Sequence, residues 1–226
     1  MNLEQSGLAC CFRESYANER VSYLFTTRRN HLKRIAALII VIALITSPLF
    51  GSIWEFDKAH SHIGFVVSHM VITKVNGQFN DFSGTIDFDG KDFSKASVEV
   101  TIDPHSIDTQ NERRNAHLKS PDFFAADSFP QMGFKSKKVI PGADGDFKVI
   151  GDLTMRGVTK EVTLDAHLNG TIVDPGGSTR AGFTATTKIN RQDWGISWSK
   201  KLDTGGLVAG DEVTINLDIE AVAKKN

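Results

Sequence analysis

The chain has 226 residues, 40% hydrophobic and 23% charged, with a formal net charge of −1, which suits one large all-β domain or two small ones with enough apolar material for a sizeable core. The charge is uneven: residues 1–52 hold six Lys/Arg against three acids, leaving 20 Lys/Arg and 24 Asp/Glu for the remainder, and a mildly acidic body disfavours nucleic acid as a partner. Both cysteines, Cys10 and Cys11, precede that body, which excludes disulfides, thiol catalysis and zinc–thiolate sites from it.

Arg28, Arg29, Lys33 and Arg34 precede an apolar run from Ile35 to Ile45, extended by Pro48, Leu49 and Phe50. A basic cluster followed by a short apolar core is the pattern of a secretory signal, and the run is shorter than the roughly 20 residues of a membrane span. The stretch before the cluster is long for a signal, which admits a start downstream of Met1. Ser47, Gly51 and Ser52 offer no clean cleavage site, so an uncleaved anchor is the alternative. Leu8-Ala9-Cys10 precedes the apolar run and is rejected as a lipid-attachment site. The expected organisation is a signal or anchor helix over 1–52, the only link to a membrane, and one extracytoplasmic domain over 53–226.

From Trp54 onward the pattern is β. Ile63, Phe65, Val67 and His69 alternate with Gly64, Val66, Ser68 and Met70. The rows Val98-Val100-Ile102, Val162-Leu164-Ala166-Leu168 and Val213-Ile215-Leu217-Ile219 alternate with polar neighbours in the same way. Period-two alternation puts one row inside and one in water, as in an antiparallel sheet with one wet face. Asp89-Gly90, Pro141-Gly142, Asp144-Gly145, Arg156-Gly157 and Pro175-Gly176-Gly177 read as hairpin turns. Thr109–Ala126 breaks the pattern and reads as a helical insertion that Pro121 ends or kinks. About eight strands of barrel or sandwich spacing are expected. Closed into a barrel, they leave an interior that side chains fill or one that holds a small ligand. Inward Gly151, Ala166 and Ala185 favour space.

The segments HSHIGFVVSHM (60–70), VNGQFNDFSGTIDFD (75–89), VEVTIDPHSIDTQNERRNAHLKSPDFF (98–124), FKSKKV (134–139), GDLTMRGVTKEVTL (151–164) and INRQDWGI (189–196) resemble, in this order, the YceI-like family of bacterial periplasmic polyisoprenoid-binding proteins. The resemblance spans Trp54 to Val222. It implies an all-β, antiparallel, eight-stranded lipocalin-like barrel with a short helical insertion, an apolar tunnel for a polyisoprenoid or other long apolar lipid, no catalytic activity and no cofactor. Asn115 departs from it, standing where the family usually has Asp. A homodimer is compatible with the sequence.

Candidate site residues follow from alternation. Phe65 and Val67 share the inner row with His69, whose imidazole needs a partner there: a core neighbour or a ligand head group. Arg191 shares a row with Phe183, Ala185, Thr187 and Ile189, where it would hold an anionic group or form a structural ion pair with Asp193 or an acid on another strand. Trp194 would pack on an alkyl chain at the mouth or close the core. In the insertion, Arg113, Arg114 and His117 are candidates for the entrance, with at least one arginine solvated. Phe123 and Phe124 would serve as lid or core. His60-x-His62 with His69 fails as a metal site because His69 lies on the other face without a bulge. Asp87-Phe88-Asp89-Gly90 lacks the glycine and glutamate positions of a calcium loop. Three functions remain open: a non-enzymatic lipid binder, an enzyme using His69 and Arg191 as acid/base and anion clamp, and a pocketless interaction module.

Overall fold

The computed structural model describes residues 52–88, 92–201, 203 and 205–224. The expected signal or anchor segment up to Gly51 and the Asp89-Gly90 turn lie outside the described residues. The strands are β1 (Ser52–Phe56), β2 (His62–His69), β3 (Thr73–Phe79), β4 (Phe82–Phe88), β5 (Ser97–Ile102), β6 (Ile107–Asp108), β7 (Met132–Pro141), β8 (Asp146–Met155), β9 (Val158–Val173), β10 (Thr179–Asn190) and β11 (Ala209–Ala223), with one α-helix, α1 (Glu112–Lys119). The ring runs β1-β4-β5-β7-β8-β9-β10-β11 and closes by pairing of β11 with β1, so eight antiparallel staves form the barrel. Closure removes the open edges that an isolated sheet would expose.

Eleven strands make eight staves because three staves are broken at one level of the barrel. A 3-10 turn capped by Asp57 splits β1 from β2, Asn80-Asp81 splits β3 from β4, and a second turn capped by Asp103 splits β5 from β6. The breaks are laced together: the Asp103 N–H donates to the Asp81 carbonyl, the Asn80 N–H to the Ser106 carbonyl, and Lys58 reaches the Asp81 carboxylate. Asp57 and Asp103 cap short turns better than they continue a ladder, which alternation of apolar residues does not reveal. As a result β6 pairs only with β3, and α1 packs against it.

The helix is shorter than the Thr109–Ala126 pattern suggests. Asn111 caps its first turn by accepting from the Arg114 N–H at 2.9 Å, and Ser120 leaves helical geometry one residue before Pro121, as the proline ring demands. The following turns run to Phe129, whose N–H donates to the Ala125 carbonyl. Asn115 ties helix to sheet: its Oδ1 accepts from the N–H and hydroxyl of Thr109 at 2.8 and 2.6 Å, and its Nδ2 donates to Asp108 at 2.9 Å. Thr109 is buried, so that acceptor is required. An aspartate at 115 keeps it but replaces the donor to Asp108 with a second carboxylate facing it.

The Arg156-Gly157 hairpin has positive φ at both residues, 49° and 73°, and joins Met155 to its partner Val158, the two-residue turn whose twist matches the strands. The Arg156 guanidinium also donates to the Phe123 carbonyl at 2.7 Å and fixes the insertion to the barrel.

Away from the interior, Arg180 is held by Asp57 and Asp174, each at 2.7 Å, and by Glu220. His60 and then Arg180, by hydrogen bonding, lower the Asp57 pKa from 3.8 to about 2. A depressed folded-state pKa stabilises the fold above the unfolded value, and the contribution is lost as pH falls through the folded one. Denaturation curves taken stepwise on the acid side should therefore show stability falling between about pH 4 and about pH 2, with a shallower fall in Asp57→Asn.

Candidate functional site

The barrel encloses a cavity of about 370 Å³, within the range of small-molecule sites. Every alternating row singled out in the sequence contributes: Ile63-Phe65-Val67-His69, Val98-Val100-Ile102, Val162-Leu164-Ala166 and Val213-Ile215-Leu217-Ile219 all line it. Leu168 is the exception; it lies next to a bulge opposite Gly182/Phe183 and packs against the Trp54, Ile86 and Phe183 cluster. The interior is not filled by side chains, so a pocketless module loses its premise.

The void does not arise where Gly151 suggested. The Phe134 ring lies where a Gly151 Cβ would stand, with Cζ 2.5 Å from that point, and Phe65 covers Gly77 likewise at 2.2 Å. These glycines receive aromatic rings from the neighbouring strand. The space is left instead by Ala166 and Ala185, which face each other across β9 and β10 and both line the cavity.

The two ends differ in chemistry. At the end bearing the β7–β8 and β9–β10 hairpins, Phe88 and Phe93 stack with ring centres 4.5 Å apart, Phe93 and Phe147 at 4.9 Å, and Phe147 meets Phe183 edge-on at 6.3 Å. This phenylalanine chain crosses the barrel. At the opposite end, that of α1, the lining includes His69, Arg114, His117, Arg191 and Trp198. His117 meets Phe123 and Trp198 edge-on, each at 5.0 Å, and its Nε2 bonds the Asp122 carboxylate at 2.8 Å. The charged and imidazole groups of the lining are therefore confined to one end of an otherwise greasy channel.

Within this site Phe65, Val67, His69, His117, Phe123, Phe124 and Arg191 reach the cavity lining. Arg113 does not; it is exposed on the outer side of α1. Arg114 lines the cavity in its place, with Nε and Nη2 donating to Thr109 at 2.8 and 2.7 Å. Helical phase accounts for this, since Arg114, His117 and Leu118 are spaced i, i+3, i+4 and share one face. That spacing was the available signal. Trp198 lies in an irregular segment with no periodicity to announce it.

Trp194 is 2% exposed, outside the lining, and donates its indole N–H to the Leu153 carbonyl at 3.0 Å; it closes the core. Arg191, 4% exposed, spends its donors on the protein. Nε binds the Gly210 carbonyl at 2.8 Å, Nη1 the Ile196 carbonyl at 2.6 Å, and Nη2 the Ala209 carbonyl at 3.2 Å and Asp211 at 3.0 Å. Its ion-pair partner is thus Asp211 on β11, and four of its five N–H donors are engaged. Burial pushes its pKa down while Asp211 opposes the shift. No hydrogen bond among the described residues reaches the half-buried His69 ring, which leaves it free to meet a ligand.

Among the described residues one cluster has ligand atoms close enough for a metal ion, Asp57, His60 and Glu220. The Arg180 guanidinium already bridges its two carboxylates.

Fold and cavity define a class: a closed antiparallel barrel with an apolar bore and one polar end. A YceI-like domain model matches residues 54–221. The chain belongs to the YceI-like family. A UPF0312 protein of Staphylococcus aureus (strain N315) is 40% identical over 168 residues, 74% of this chain and 95% of that one. Among solved structures, a Campylobacter jejuni YCEI protein superposes with a TM-score of 0.62 at 36% identity, covering 75% of this chain and 96% of that one. A structure described as a polyisoprenoid binding domain from Saccharophagus degradans superposes with a TM-score of 0.59 at 15% identity, covering 77% and 99%; at that identity the likeness is one of fold.

Proposed function

We propose that the barrel is a non-enzymatic binder of one long apolar lipid, a polyisoprenoid or a chain of like shape, held with its polar end at His69, Arg114 and His117. The observation that carries this is the division of the lining. Phe, Val, Leu, Ile and Ala rows run the length of the bore, and the charged and imidazole groups gather at the α1 end. An amphiphile is matched by that division; a small polar substrate is not. The fold likeness to a domain described as polyisoprenoid-binding supports the ligand class. The engagement of Arg191 by Gly210, Ile196, Ala209 and Asp211 speaks against an anion clamp working beside His69. The basic-then-apolar leader and the absence of cysteine after Cys11 support an extracytoplasmic carrier or store.

Trp198 lines the cavity and reports on it directly. Titration with a polyprenol and with a polyprenyl phosphate should change tryptophan fluorescence saturably, and the change should be lost in Trp198→Phe while binding persists by mass. No saturable binding of either compound would overturn the reading.

A further inference from the structure

We propose that the barrel docks on an anionic lipid bilayer through the hairpin tip Met70-Val71-Ile72 at the polar end of the cavity. This rests on the lipid-binding reading only for its purpose; the docking itself is measurable without any ligand in the bore. The tip joins β2 to β3, and its side chains point away from the core: Val71 is 70% and Ile72 85% exposed, and Met70 is exposed beside them. Two bare apolar residues beside a third that is 39% exposed make an unusual loop tip on a soluble surface.

The backbone there is strained as well. Met70 and Val71 have φ of 53° and 66°, a left-handed conformation that a β-branched residue adopts at a cost. The conformation is held because the Met70 N–H donates to the Val208 carbonyl at 3.0 Å and the Ile72 N–H to the His69 carbonyl at 3.2 Å. Both acceptors belong to residues that line the cavity. The tip is thus one hydrogen bond away from the mouth.

Lysines outnumber acids beside the tip, three against the single exposed Asp203 on the segment that holds Lys200 and Lys201. Lys74 is exposed on β3 beside the tip, its residue paired across the hairpin with Ser68. Lys200 and Lys201 are exposed on the segment that pairs with Val208 and Leu207. None of the three lysines forms an ion pair among the described residues, and neither does the exposed Arg113 at this end of the barrel. An apolar prow flanked by unpaired cations suits the interface of an anionic membrane. The barrel's other exposed apolar pair, Ile172 and Val173, tips the β9–β10 hairpin at the opposite end. Its neighbourhood is acidic: Asp174, Asp57 and Glu220 surround the single Arg180. An anionic surface would repel that end.

The test uses residues 52–226, which close their own ring between β1 and β11 and correspond to nearly the whole length of solved relatives. This part has no cysteine, so Ile72→Cys and Ile172→Cys each accept one environment-sensitive dye. Ligand-free protein is mixed with vesicles of equimolar phosphatidylcholine and phosphatidylglycerol. The dye at 72 should shift to the blue and the dye at 172 should not. Val71→Gly with Ile72→Ser relieves the left-handed strain and is expected to remain folded, yet to lower vesicle partitioning by roughly tenfold or more. Lys74→Gln, Lys200→Gln and Lys201→Gln should each cost about fivefold on anionic vesicles and little on pure phosphatidylcholine. Absence of partitioning by the parent domain, a blue shift at 172 equal to that at 72, or unchanged partitioning of the folded tip variant would overturn the proposal. Failure of polyprenol binding in the same protein would instead strike the lipid-binding reading.

Discussion

Replacing Ala166 and Ala185 together by phenylalanine should leave the barrel folded and abolish lipid binding. The two alanines are direct partners across β9 and β10, flanked in the same inner row by Phe147 and Leu217. Two added rings would project side by side from this one wall and fill the bore at this level. A ligand chain shut out of as few as four methylene contacts loses about 3 kcal/mol, on the order of a hundredfold in Kd. Overpacking of a filled core costs about 1–3 kcal/mol, but here the rings enter a void, so the loss of stability should be smaller. Calorimetric titration with a polyprenol alongside thermal melting separates the two effects. Binding that survives at parental strength would mean that the ligand does not occupy the bore at this level.

Arg191→Ala should be the most damaging single change for stability, and not because of any ligand. Removing the guanidinium strands Asp211 and leaves the carbonyls of Gly210, Ile196 and Ala209 without their donor. Asp211 is one-third exposed and can turn to water, so the main cost is the three carbonyls left without a donor, together about 3–5 kcal/mol. For a domain of this size that corresponds to a fall in Tm of roughly 10–15 °C. Arg191→Lys should rescue little, since an ammonium cannot reach three carbonyls and a carboxylate in the fork geometry of Arg. Thermal melts of the two variants measure this. A variant that melts within a few degrees of the parent but has lost affinity for polyprenyl phosphate would return Arg191 to the ligand site.

How much of this could be read from residues alone depends on which physical signal each feature leaves. The inner rows were legible because a half-buried antiparallel strand must alternate, and Phe65, Val67 and His69 sit on such a row. The class of ligand was not legible from alternation, which gives the same pattern for a packed and a hollow barrel. The void depends on which small residues face each other: Ala166 and Ala185 are partners, whereas Gly151 is covered by Phe134 from the next strand, and no local pattern separates the two cases. Alternation puts Arg191 on the inner row, but its role is decided by carbonyls some twenty residues away in sequence. Arg113 and Arg114 are adjacent in sequence and lie about 100° apart on a helix, so a choice between them required the phase set by His117 and Leu118. Two of the three stave breaks came from capping aspartates, Asp57 and Asp103, a signal that alternation hides.

Native mass spectrometry of residues 52–226, purified without detergent from a bacterial envelope and then loaded with excess polyprenol, tests the hollow-barrel account most directly. A single adduct with the mass of one long-chain lipid, present in the parent and missing from the Ala166→Phe, Ala185→Phe variant, is the predicted result. A ligand-free mass alone, both before and after loading, would contradict it.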